Sequence, residues 1–113
     1  SAVNILGKVN DKRKIALLAD MLELGNYSEE LHRKVGKAIS ENNIDILITV
    51  GELSNKYIKD EAIKNGFNQE KIYSFNSYEE TYELLDKLLT NNDIILLKGS
   101  NSMNITKIVD KLK

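Results

Sequence analysis

Residues 14–36 read KIALLADMLELGNYSEELHRKVG, and the changes of pattern inside them decide the fold. Ile15–Ala19 is a continuous apolar run of strand length, too short for a buried helix. It stops on an acid, Asp20. A polar loop containing Glu23 and Gly25 follows. From Ser28 onward the period changes. Leu31, Val35, Ala38 and Ile39 recur at i, i+4, i+7 and i+8, which is one face of a helix running to about Glu41. Ser28 has the chemistry of an N-cap, and Glu29 and Glu30 fall in the first turn, where the helix dipole favours acids. The helix carries the only histidine, His32, and an internal glycine, Gly36. Glycine in a helix costs about 0.5–1 kcal/mol relative to alanine, so Gly36 is expected to permit close packing against the sheet or a neighbouring loop. Strand, loop and helix together form one βα unit. In open α/β sheets, ligands meet the chain just beyond the carboxyl ends of the strands.

The same alternation continues outward. Asp45–Val50 is a second apolar strand stopping at Gly51. A helix is expected from about Leu53 to Lys64, ended by Asn65-Gly66. Lys71–Phe75 is a short strand. Ser77-Tyr78-Glu79-Glu80 has the form of a capping box. It opens a helix to about Leu89, with Tyr82, Leu85 and Leu88 or Leu89 expected to face inward. Asp93–Leu97 is the last strand and leads into Lys98-Gly99-Ser100. Beyond it, Ile105, Ile108, Val109 and Leu112 mark a final helix. At the other end, residues 1–9 read as the tail of a truncated helix that ends at Gly7. The chain is therefore expected to be one domain, 1–113, cut from something longer.

Near-continuous apolar strands alternating with helices predict an α/β fold: a mainly parallel sheet covered by helices on both faces, a three-layer sandwich. Right-handed crossovers with one reversal predict the strand order 3-2-1-4. The switch point then lies between the first and last strands. It brings Asp20 and Lys98-Gly99-Ser100 side by side.

Composition removes several function classes. The net charge is −1, so no basic field attracts nucleic acid or anionic lipid. With no cysteine there is no disulfide framework, thiolate nucleophile or cysteine zinc site, and one histidine cannot build a histidine-rich metal site. No apolar run approaches the roughly 20 residues that span a bilayer, and no secretory pattern opens the chain. These features predict a cytoplasmic protein without nucleic-acid or membrane partners.

Two places are candidates for chemistry. In Lys98-Gly99-Ser100-Asn101, a strand turns into a helix N-terminus. Glycine allows close approach, and free amides, a hydroxyl and an ammonium suit a carboxylate or phosphate. An ordinary βα loop with a serine or asparagine cap has the same composition. No GxxxxGK[ST] loop occurs, so no γ-phosphate site is expected here. Asp20 is suited to accept hydrogen bonds from a ligand, to pair with Lys98, or to cap a turn. Glu23 and Gly25 shape the loop, and His32, without an acid partner in the sequence nearby, reads as a structural hydrogen-bonder. No residue qualifies as catalytic or metal-binding.

RKIALLADMLELGNYSEELHRKVG at 13–36, DILITVGELS at 45–54 and DIILLKGSNSM at 93–103 together resemble the C-terminal domain of the Mur ligases. Within that family they are most similar to the branch that adds D-Ala-D-Ala to UDP-MurNAc-tripeptide. The resemblance spans essentially the whole chain. It implies a Rossmann-like domain of a cytoplasmic, three-domain enzyme of peptidoglycan synthesis and cell-wall biogenesis. Such an enzyme uses ATP and Mg²⁺ to form an acyl-phosphate that an incoming amine attacks. The Walker A loop belongs to its central domain, and the C-terminal domain closes over the nucleotide and helps hold the incoming amine substrate. By resemblance, Asp20, Lys98, Gly99, Ser100 and Asn101 fall in the substrate-binding region, with Ser100 and the surrounding amides receiving a carboxylate. The domain alone is expected to bind no cofactor and to be inactive. Three positions depart from the family pattern: Ala19 replaces a usual Gly, Asn101 a usual Arg, and Ile105-Thr106 a usual Met-Glu. The loss of arginine removes a bidentate carboxylate partner. A paralogue with another amine acceptor and a stand-alone receiver-like module stand as alternatives. The module lacks the paired acids for Mg²⁺ and an acid after a middle strand.

Overall fold

The computed structural model describes residues 2–100. The expected final helix, and with it Asn101, Ile105 and Thr106, lies outside the described residues. Four parallel strands form one sheet: β1 (Arg13–Ala19), β2 (Ile46–Val50), β3 (Ile72–Phe75) and β4 (Asp93–Lys98), in the order β3-β2-β1-β4. The crossover rule therefore holds, and β1 lies beside β4 with Leu18 opposite Lys98. The most apolar strands, β1 and β2, take the centre. Every residue of β2 is buried, as is β1 after Arg13.

The two faces of the sheet carry separate cores. Ala16, Leu18 and Leu47 pack against Val3 and Leu6 of α1 (Ala2–Gly7), Ile39 of α2 (Ser28–Glu41), and Ile58 and Ala62. Ala62 belongs to α3 (Lys59–Lys64), and Ile58 ends the π-helical turn Ser54–Ile58 that precedes it. Ile15, Leu17, Ile46, Ile48 and Val50 face the other way, onto Leu85 of α4 (Tyr82–Leu88). Each fully buried aliphatic side chain contributes about 1.5–3 kcal/mol relative to exposure, so the two layers account for most of the driving force.

Several local expectations need correction. Ser28 is the first residue of α2 and not its cap. A 3₁₀ turn, Gly25–Tyr27, feeds the helix, and Tyr27 at the cap position makes no side-chain bond. Glu80 does supply its half of a capping box, accepting from Asn76 N at 2.7 Å and Ser77 N at 3.1 Å. The helical segment nonetheless opens on a 3₁₀ turn, Glu79–Thr81, with Tyr78 at the cap position. Tyr82 is 46% exposed, while Thr81 is buried, its hydroxyl donating to Tyr78 O at 2.6 Å. Thr81, one turn before Leu85, takes the inward place with it, and Leu88 and Leu89 pack partly buried against the same core.

One ion pair locks the sheet's edge. Arg13 on β1 holds Asp93 on β4 through two bonds, Nε–Oδ1 at 2.7 Å and Nη2–Oδ2 at 2.8 Å, and also donates to Leu88 O at 2.6 Å. The Asp93 side chain is only 3% exposed. The Arg13 hydrogen bond holds its carboxyl below the usual range, with help from Thr90 N and against the cost of burial. Because the folded value lies below the unfolded one, the pair's stabilisation is present above about pH 4 and is lost as the pH falls below that. Asp93→Asn is expected to destabilise the protein at neutral pH. The gap from wild type should narrow toward pH 3, as followed by denaturant midpoints across that range. A gap that stays constant with pH would contradict the assignment.

Candidate functional site

The C-terminal ends of β1 and β4 meet where the strand order reverses. The Ser100 amide donates to Asp20 O at 3.0 Å, tying the residue after β1 to the loop after β4. Gly99 sits between them with φ +129°. A Cβ built on it would lie 2.5 Å from Ala19 O and 2.8 Å from Ala19 Cβ. Only glycine satisfies both the backbone angle and the approach. Ala19 thus forms one wall against Gly99.

The hydroxyl oxygen, amide and carbonyl of Ser100 are all bonded. Its hydroxyl oxygen accepts from Leu22 N at 3.3 Å, its amide donates to Asp20 O, and its carbonyl accepts the Tyr78 hydroxyl at 2.6 Å. Burial, with the nearby Asp20 charge, pushes the Tyr78 phenol up, so it stays a neutral donor at physiological pH. The Leu22 amide fixes the Ser100 hydroxyl oxygen, and among the described residues no acceptor takes its proton; a hydroxyl held in this way can donate to a group such as a carboxylate. Lys98, half-buried, ends the strand one residue before Gly99.

Asp20 uses its side chain elsewhere. Its carboxylate accepts from Ser54 N at 2.7 Å and Leu53 N at 3.2 Å. Those amides open the helical segment after β2, whose first i to i+4 bond runs from Asn55 N to Gly51 O. Gly51 occupies the cap position with no side chain to offer, and a Cβ there would fall 2.6 Å from the Asp20 carboxylate. Asp20 therefore supplies, from just past β1, the cap that Gly51 cannot. These bonds, and not a pair with Lys98, engage its carboxylate. Among the described residues, Ser54 Oγ and Asn55 Oδ1 are buried there without a partner. The turn thus carries a desolvation cost, which makes the two bonds from Asp20 the more necessary.

The loop between β1 and α2 is shaped by two left-handed residues, Glu23 at φ 63° and Gly25 at φ 58°. His32 is completely buried beneath it. Its Nε2 accepts from Met21 N at 3.1 Å, and its Nδ1 lies 2.6 Å from Ser28 O. Gly36 faces a neighbouring helical segment and not the sheet or a loop, since a Cβ there would lie 2.4 Å from Ile58 O. Beside it, Arg33 bridges Glu29, Asp60 and Glu61 and lies 5.2 Å over the Tyr57 ring. These ion pairs, with Lys64 on Asp60 at 3.5 Å, tie α2 to α3. Among the described residues no His, Asp and Glu cluster is arranged to hold a metal ion, and no helix is long and apolar enough to cross a membrane.

Sequence reasoning named Asp20, Lys98, Gly99 and Ser100 but not Tyr78, Gly51 or the amides of Met21 and Leu22. Their partners are 11 to 78 residues away in sequence or are backbone atoms, so no local pattern marks them.

Residues 1–101 match the family described as Mur ligase, glutamate ligase domain. The UDP-N-acetylmuramoyl-tripeptide–D-alanyl-D-alanine ligase of Bacillus subtilis is 31% identical over 100 residues, 88% of this chain and 21% of that protein. The Synechocystis enzyme of the same name is 29% identical over 112 residues, 99% of this chain and 24% of that one. Among solved structures, MurF from Acinetobacter baumannii gives a TM-score of 0.73 at 23% identity, covering 98% of this chain and 24% of that chain. MurF from Thermotoga maritima, in complex with ADP, gives 0.72 at 22% identity, with the same coverage. These two likenesses show the fold. The chain spans between a fifth and a quarter of the length of the relatives it matches.

Proposed function

This chain belongs to the Mur ligase, glutamate ligase domain family, and from that premise we propose that it is the acceptor-side domain of a cytoplasmic ATP-dependent ligase that joins D-Ala-D-Ala to UDP-MurNAc-tripeptide in peptidoglycan synthesis. The observation that carries the reading is the Ser100 loop at the β1/β4 switch point. It is fixed by three internal bonds, and among the described residues its hydroxyl proton has no acceptor, which leaves it able to donate to a carboxylate.

In such a ligase the tripeptide carboxylate attacks the γ-phosphorus of ATP, and ADP leaves. The acceptor amine then attacks the acyl-phosphate carbon, phosphate departs with the bonding pair, and the amine loses a proton. ATP and Mg²⁺ belong to the central domain. This chain, without a GxxxxGK[ST] loop, holds the acceptor. Ser100 donates to the acceptor's carboxylate, and the Lys98 ammonium adds positive potential. Held at that end, the amine is presented toward the acyl-phosphate when the domain closes, and orientation of this kind is worth several kcal/mol of barrier.

The test is ligation by the full-length protein with ATP, UDP-MurNAc-tripeptide and a panel of D-amino acids and D-dipeptides. Product formation with D-Ala-D-Ala ahead of the rest of the panel is expected. Selective use of a different acceptor would identify a paralogue, the change to Asn101 being the feature that favours it. Absence of any acceptor-dependent release of ADP would overturn the ligase reading.

A further inference from the structure

The only buried histidine is not part of the acceptor contact, yet both of its ring nitrogens are committed. A backbone N–H can only donate, so Nε2, which faces Met21 N at 3.1 Å, must present a lone pair. Nδ1 faces a carbonyl, Ser28 O, at 2.6 Å, so it carries the proton. His32 is a neutral imidazole with its tautomer fixed by two backbone groups, and it is completely enclosed. The residue it grips lies between two that hold Ser100. Asp20 O accepts the Ser100 amide, and Leu22 N donates to the Ser100 hydroxyl. Leu22 itself is 57% exposed, so its own side chain does little to anchor that amide.

We propose that His32 is a positioning residue for the acceptor site: through the Met21 amide it fixes residues 20–22, and these set the place and rotamer of the Ser100 hydroxyl. The proposal rests on the assignment of Ser100 to the acceptor, and it adds a residue to that site. The two ring nitrogens separate a positioning role from a merely structural one. In His32→Asn the side-chain amide can still donate toward Ser28 O, but no acceptor reaches Met21. In His32→Gln the side-chain oxygen reaches the Nε2 position and can accept from Met21 N.

Both variants should be made in the full-length enzyme and followed in two ways, by steady-state kinetics with D-Ala-D-Ala and ATP, and by amide hydrogen exchange over residues 20–24. His32→Asn should raise the KM for D-Ala-D-Ala about tenfold, as loss of a supporting hydrogen bond commonly does, with the KM for ATP changed less than about twofold. It should also speed exchange at Met21 and Leu22. His32→Gln should restore slow exchange and bring the dipeptide KM to within about threefold of wild type. Equal losses in the two variants, tracking only their melting temperatures, would overturn the proposal. So would a dipeptide KM unmoved in His32→Asn. If His32→Asn does not fold, the His32→Gln variant still decides: fast exchange at Met21 despite a folded protein overturns the claim. The exchange measurement needs no ligase activity. A wild-type enzyme that uses no acceptor would therefore defeat the functional reading, while the exchange data would still report on the His32–Met21 link.

Discussion

Gly99→Ala should destabilise the protein by about 3 kcal/mol or more and dismantle the candidate site at the same time. Two costs add. The backbone at φ +129° lies where a side chain is strained, and the new methyl would sit 2.5 Å from Ala19 O and 2.7 Å from Ala19 C. Neither neighbour can yield easily, because Ala19 is held in the β1–β2 ladder opposite Val50. The strain is relieved only if the end of β4 peels from β1. That motion breaks the Ser100 N–Asp20 O bond and pulls the Ser100 hydroxyl off Leu22 N. Denaturant unfolding should show the loss, and amide exchange should localise it to Ser100 and Leu22. A variant within about 1 kcal/mol of wild type would mean that Gly99 is not pinned as described.

Asp20→Ala should cost about 2–3 kcal/mol, more than an ordinary helix cap. A lost cap typically costs about 1 kcal/mol, and here two amides inside a packed turn are also left without acceptors. Gly51 cannot compensate, having no side chain, and Ser54 Oγ and Asn55 Oδ1 already lack partners among the described residues in the same turn. Asp20→Asn keeps one oxygen for Ser54 N and should lose less than half as much. The same substitutions are informative about function. If Asp20 acts through the fold, Asp20→Asn in the full-length enzyme should shift the dipeptide KM only as far as it loosens the β1–β4 junction. A large fall in kcat in a well-folded Asp20→Asn variant would instead place the carboxylate at the chemistry.

How much of this was legible in the chain depends on how local each determinant is. The apolar runs Ile15–Ala19, Asp45–Val50 and Asp93–Leu97 mark strands by composition alone. Handedness then orders them as 3-2-1-4, which is why the sequence already brings Asp20 and Ser100 together. The capping of the segment after β2 is not legible, because the acid that performs it lies more than thirty residues earlier, just past the end of another strand. Nor was the Tyr78–Ser100 bond, which joins an aromatic side chain to a backbone carbonyl. Glu23 in a left-handed conformation carries no compositional mark, unlike Gly25. Of the face expected to point inward, Leu85 is buried and Leu88 and Leu89 pack against it, while Tyr82 is replaced by Thr81, one turn before Leu85, within the 3₁₀ lead-in. Gly36 announced a close approach correctly in kind, but nothing in the sequence says that the approaching atom is Ile58 O.

Substitution of the Ser100 hydroxyl tests the acceptor-side assignment most directly. In the full-length ligase, Ser100→Ala should raise the KM for D-Ala-D-Ala about tenfold while the KM for ATP stays within about twofold, because a contact made to the acceptor in ground and transition states alike is removed. An unchanged dipeptide KM, or equal rises for dipeptide and ATP, would contradict the claim that this loop holds the incoming substrate.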